Sequence, residues 1–98
     1  MKTLLKLKSD QDVTQLVRQA RKSKDYTYIL FTSPWDKLSN AVRERIESSK
    51  KEKDVYEVSY YDAPHSWLQF KVSPGTLVKM NAKKVVVYPS YGAVKLEF

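Results

Sequence analysis

The chain predicts a small α/β sandwich, with helices on both faces of a mixed sheet. Three observations carry this expectation. Short runs rich in β-branched and aromatic residues alternate with segments of helical apolar spacing. The last two such runs, "TLVKM" and "KVVVY", are separated only by Asn81 to Lys83, too short a gap for a crossover and right for an antiparallel hairpin. A length of 98 residues, 42% hydrophobic and 30% charged, suits one domain over residues 1–98 with a single modest core.

Each element has its own warrant. "TLLKL", from Thr3 to Leu7, is a short apolar strand that stops at Ser9, whose pairing with Asp12 resembles a capping box and starts a helix. Val13, Leu16, Val17 and Ala20 gather on one face of that helix, which is expected over residues 10–23. "YTYILF", from Tyr26 to Phe31, is β-branched or aromatic nearly throughout, as a central strand covered on both faces requires. After the Ser33-Pro34-Trp35 corner, Leu38, Ala41, Val42 and Ile46 mark a second amphipathic helix running to about Lys50. "DVYEVSYY", Asp54 to Tyr61, is the next strand, and Pro64 opens a short helix packed through Trp67 and Leu68. The hairpin follows. In the tail "PSYGAVKLEF", Pro89 and Gly92 both oppose a helix, so a terminal helix is expected to be absent and one sheet face thinly covered. The order is therefore β-α-β-α-β-α-β-β, parallel through the crossovers.

Composition excludes several chemistries. With no cysteine there is no disulfide, thiolate nucleophile or thiolate metal site. His65 is the only histidine and no ligand spacing accompanies it, so no metal is expected. Two glycines in all leave no phosphate-cradling loop, and no cofactor is expected. The N-terminus is too short and too interrupted by lysine for a signal peptide, and no run approaches membrane-spanning length, which reads as a cytoplasmic protein without membrane contact. The net charge of +7 is uneven, since residues 1–53 hold 13 Lys and Arg against 7 Asp and Glu.

The order of elements and the stretch "FTSPWDKLS", Phe31 to Ser39, resemble the thioredoxin family, in which an apolar strand leads into Ala-Pro-Trp-Cys-Gly-Pro-Cys. The resemblance implies a thioredoxin-like three-layer sandwich. It lays Ser33, Pro34 and Trp35 on Ala-Pro-Trp, Asp36 on the first cysteine and Ser39 on the second. Thiol–disulfide exchange needs a thiolate and a resolving thiol, and neither carboxylate nor hydroxyl replaces them. The implied protein is redox-inactive and not an enzyme of that kind. The niche that stabilises a thiolate at a helix N-terminus also stabilises a carboxylate, so Asp36 is expected to cap the second helix. The family also places a cis-proline opposite the motif. Here "VSPGTLV" leaves two assignments open, Gly75 by matching Thr76 and Leu77, or Pro74 after a shift of one residue.

Two binding surfaces follow. The first is the motif edge, Trp35, Asp36, Ser39, Pro74, Gly75 and Thr76, with another protein as partner. The second is a basic surface of Arg18, Arg21, Lys22 and Lys24 at the end of the first helix and Lys50, Lys51 and Lys53 at the end of the second, suited to nucleic acid or another polyanion. Both helices return against parallel strands, so these cations belong at the pole opposite Asp36. Tyr88 and Tyr91 beside the uncovered end are candidates for a further interface, including a homodimer through the C-terminal region.

Overall fold

The computed structural model describes residues 4–33, 35–49 and 54–98. In chain order the elements are β1 (Leu5–Leu7), α1 (Asp10–Ala20), β2 (Thr27–Thr32), α2 (Lys37–Glu47), β3 (Val55–Ser59), α3 (Pro64–Phe70), β4 (Thr76–Met80), β5 (Val85–Tyr88) and α4 (Tyr91–Glu97). The sheet order is β1-β3-β2-β4-β5. Strands β1 and β2 run parallel to β3, while β4 runs antiparallel to both β2 and β5. The mixed sheet with parallel crossovers and a terminal hairpin is the one the sequence predicts.

Alternation along the strands divides the apolar residues into two clusters, one on each face of the sheet, where the chain length suggested a single core. Ile29, Phe31, Val58, Val78 and Met80 meet Val13 and Ala20 of α1 and Trp67 of α3. Tyr28, Leu30, Val55 and Leu77 meet Val42 and Ile46 of α2 and Val94 of α4 on the other face. Ile29, Leu30 and Phe31 of the central strand are fully buried, each contributing roughly 1.5–3 kcal/mol relative to exposure.

The helices start where local chemistry supplies the missing partners. The Ser9 hydroxyl accepts from the Asp12 amide at 3.1 Å, and the Asp12 carboxylate accepts from the amide of Lys8, one residue earlier than a standard capping box. α1 then ends at Ala20, with Arg21 as its C-cap, earlier than the expected residue 23. α2 likewise ends at Glu47. α3 has Ala63 at its N-cap and no side chain of its own to cap it. Asp10 of α1 does this from outside, accepting from the amide and hydroxyl of Ser66 at 2.8 and 2.9 Å.

The tail departs from expectation. Residues Tyr91–Glu97 are helical and cover the α2 face over β4 and β5, so that face is not left bare. Pro89 falls before the N-cap, where its missing N–H has no helical bond to break. Ser90 is the cap, its hydroxyl accepting from the Ala93 amide at 3.3 Å. Gly92 sits in the first turn, where its cost of up to about 1 kcal/mol is outweighed by burial of Val94 and Phe98. Phe98 meets the Tyr28 ring edge-on at 5.4 Å, and the Tyr28 hydroxyl donates to Glu97 at 2.7 Å. Tyr88 and Tyr91, expected as exposed interface residues, instead pack half-buried against this core.

The Tyr28–Glu97 bond makes the fold sensitive to alkali. Burial, then the hydrogen bond and charge of Glu97, push the Tyr28 phenol well above its ordinary value of 10.0. A group raised on folding contributes stability that is complete below its unfolded value and is lost as pH climbs from there towards the folded one. Tyr28→Phe is expected to lose about 1 kcal/mol at neutral pH and to show a shallower decline in urea midpoint above about pH 10 than the parent chain. Parallel alkaline curves for the two proteins would contradict this assignment. Among the described residues, no helix is long and apolar enough to cross a membrane.

Candidate functional site

The corner between β2 and α2 is closed by hydroxyl and carboxylate groups. Asp36 has extended backbone angles and its Oδ1 accepts from the Ser39 amide at 3.0 Å, the side-chain cap that the sequence predicts. The Ser39 hydroxyl accepts from the Ser33 amide at 3.2 Å and lies 3.0 Å from the carbonyls of both Ser33 and Asp36, either of which takes its proton. Ser39 is fully buried. It braces the corner from within. Asp36→Ala is expected to cost about 1 kcal/mol in urea unfolding, whereas Asp36→Asn should retain most of the cap. Equal losses from both would remove the capping role.

The loop before β4 is fastened to this corner. The Gly75 amide donates to the Phe31 carbonyl at 2.8 Å, and Gly75 has φ +89, in the region that favours glycine. A Cβ there would stand 3.5 Å from both Ser39 Cα and Val42 Cγ2. Gly75 is thus the residue that meets the first turn of α2, while Pro74 lies beside Trp35. No peptide bond among the described residues is cis. Thr76 is buried and its amide closes a turn onto Ser73. All six motif-edge residues therefore come together, but they divide by exposure. Trp35 is 60% exposed and Asp36 and Pro74 are half-buried, while Ser39, Gly75 and Thr76 are buried supports. Pro34 lies outside the described residues.

Three residues that the sequence assigns to strand or packing, Tyr60, Tyr61 and Trp67, adjoin this edge. β3 ends at Ser59, so Tyr60 and Tyr61 leave the strand and are exposed in the turn that follows. Trp35 meets Tyr61 edge-on at 5.0 Å, Tyr60 meets Trp67 at 5.6 Å, and Trp67 meets Phe31 at 5.5 Å. Trp35, Tyr60 and Trp67, with Ser33, Val72 and Pro74, border a pocket of about 230 Å³. Two of the bordering residues each carry a buried atom with no hydrogen-bond partner among the described residues, Trp67 Nε1 and Ser33 Oγ. The "YYDAP" turn signal after a strand was the clue available in sequence.

A larger, polar hollow of about 550 Å³ lies on the other side of Ser33, bordered by Lys6, Thr32, Asn40, Arg43 and Glu57. The buried Glu57 carboxylate accepts from the Thr32 hydroxyl at 3.0 Å and has the Arg43 guanidinium at 3.6 Å. Among the described residues no three His, Asp or Glu side chains converge as metal ligands.

The basic surface is only partly described, since Lys50, Lys51 and Lys53 lie outside the described residues. Arg18, Lys22 and Lys24 are exposed at the end of α1, and Arg21 donates through Nη1 to the Asn81 carbonyl at 3.0 Å. Amide and side-chain bonds from Ala82 and Asn81 to the carbonyls of Ser23 and Lys24 hold the β4–β5 turn here, which adds Lys83 and Lys84. These two were not among the expected basic residues. Thr27 pairs with Met80 at this end of β2, and Asp36 follows the other end, so the described cations and the corner occupy opposite poles.

No family model matches the sequence, and no curated protein matches it. Solved structures do resemble it. The thioredoxin of Schistosoma mansoni superposes with a TM-score of 0.78 at 17% identity, covering 97% of this chain and 90% of that one. Fasciola hepatica thioredoxin gives 0.77 at 16%, over 96% and 93%, and thioredoxin from Trypanosoma brucei brucei gives 0.75 at 14%, over 96% and 84%. The chain has the thioredoxin-like α/β fold. Its 98 residues contain no cysteine, so it is a thioredoxin-fold chain without the groups that thiol–disulfide exchange requires.

Proposed function

We propose that the chain is a non-enzymatic binding protein that holds another protein through the motif edge. The observation that carries this reading is the concentration of exposed aromatic surface at one corner: Trp35, Tyr60 and Tyr61 at 60%, 42% and 69% exposure. Large rings with polar tips are the side chains that dominate protein interfaces, and here Trp35 on the braced corner meets Tyr60 and Tyr61 of the turn after β3 edge-on. Asp36, Ser39, Gly75 and Thr76 serve as the frame, with Trp35 and Pro74 as contacts.

The test is selection of peptides from a displayed random library against the intact protein, followed by titration of the selected peptides into Trp35→Ala. Affinity is expected to fall by about tenfold or more, the effect of losing an interface anchor, with the unfolding midpoint unchanged. Selected peptides that bind the variant as well as the parent would move the interface elsewhere. A second reading is polyanion binding at the opposite pole, which the arrival of Lys83 and Lys84 beside Lys22 and Lys24 favours. It requires an affinity for single-stranded nucleic acid that falls steeply with added salt.

A further inference from the structure

The sheet ends at β5, and the hairpin fixes which backbone groups that strand turns outward. The Asn81 amide donates to the Lys84 carbonyl at 3.0 Å, so these two residues form a hydrogen-bonded pair. In an antiparallel ladder such pairs recur at every second position, here Lys79 with Val86 and Leu77 with Tyr88. Val85 and Val87 fall between them, opposite Met80 and Val78, so their N–H and C=O groups point away from β4. Among the described residues no strand lies on that side. The side chains of Val85 and Val87 share a face with Met80 and Val78, yet they are 46% and 49% exposed.

Sheet edges are usually guarded by charge, proline or brevity. Here the guards stand at the ends: Lys83 and Lys84 are exposed just before β5 and Pro89 just after it, with valines between. What covers this window must be an extended chain, because only a strand brings N–H and C=O groups at the spacing of Val85 and Val87. A helix has already bonded its own, and a nucleic-acid backbone has no such ladder. The charge of the occupant follows from the surroundings. From Ala63 to Leu96 the chain holds five lysines and no Asp or Glu. Lys79 is paired with Glu97, while Lys83 and Lys84 are exposed beside the strand. A second copy would bring the same lysines and its own net charge of +7. We infer that the β5 edge takes an acidic, extended segment of a partner protein, bonded through the backbones of Val85 and Val87, with carboxylates beside Lys83 and Lys84. This surface is separate from Trp35 and its neighbours.

The test uses the whole chain labelled with ¹⁵N and the end-capped peptide Glu-Glu-Val-Thr-Val-Thr-Val-Glu-Glu, acidic at both ends so that either strand direction can pair. At saturation, amide exchange at Val85 and Val87 is expected to slow by about tenfold or more, while Val86 and Tyr88, already bonded to β4, change little. The same peptide with lysine in place of glutamate is expected to slow neither valine. Val87→Pro removes one outward donor and no bond to β4, a change that edge positions tolerate, and is expected to weaken the acidic peptide about tenfold. If that variant does not fold, exchange in the parent chain still decides. Unchanged exchange at both valines in millimolar acidic peptide overturns the inference, as does equal slowing by the lysine peptide or full affinity in Val87→Pro. Slowing that appears without peptide and grows with protein concentration assigns the edge to a second copy, and equal slowing by oligothymidylate assigns it to nucleic acid. Either result overturns the inference.

Discussion

Truncating Phe31 to alanine is expected to lower the unfolding free energy by roughly 3–5 kcal/mol. Phe31 is fully buried on the central strand, and its ring touches Trp67 edge-on and Phe70 at a tilt, both at 5.5 Å between centroids. Its loss opens a cavity between β2 and α3, lined by rings fixed on that helix. Its backbone carbonyl also accepts the Gly75 amide, a bond the substitution leaves in place. The urea midpoint should therefore fall steeply with the slope of the transition unchanged. Against a usual total of about 5–15 kcal/mol, this takes a large share of the stability. The exposed Trp35, by contrast, should cost less than about 0.5 kcal/mol when truncated. A Phe31 loss below that of Asp36→Ala would place the heart of the core elsewhere.

A charge placed under the terminal helix should have an effect of similar size. Val94 is fully buried between α4 and the sheet, in the cluster that holds Leu77, Val42 and Phe98. Val94→Asp puts a carboxylate there with no designed partner, at a cost on the order of 4 kcal/mol, unless α4 leaves the sheet. Hydrogen exchange distinguishes the two responses, since undocking releases the α4 amides while those of β2 stay protected. Protected α4 amides together with near-parent stability would contradict the burial of Val94, and released α4 amides with near-parent stability would show that the helix contributes little to the fold.

Periodicity and capping made most of the architecture legible. The apolar spacing of Val13, Leu16, Val17 and Ala20, and of Leu38, Val42 and Ile46, is local information, and both helices formed there. Asp36 as a cap was legible because capping depends on residues three apart. The terminal helix was not, since Pro89 and Gly92 argue against it locally and the forces that win are tertiary: Val94 and Phe98 entering a core, and Glu97 reaching Tyr28. Tyr60 and Tyr61 were read as strand because their composition is that of a strand, while the strand's end at Ser59 is set by pairing with Thr32. Lys83 and Lys84 join the basic end through bonds spanning more than fifty residues, which no window along the chain contains. The orphaned Trp67 indole likewise exists only once β3, α3 and the loop before β4 have met.

The corner after β2 has a chemical consequence of its own. Cysteine at such a turn climbs and descends a series of oxidation states, and its shape and charge follow the surroundings. A serine hydroxyl and an aspartate oxygen have no such series, so peroxide, glutathione or a shift in cellular potential finds nothing to titrate there. The turn therefore carries no thiol whose charge or shape would change between oxidising and reducing conditions.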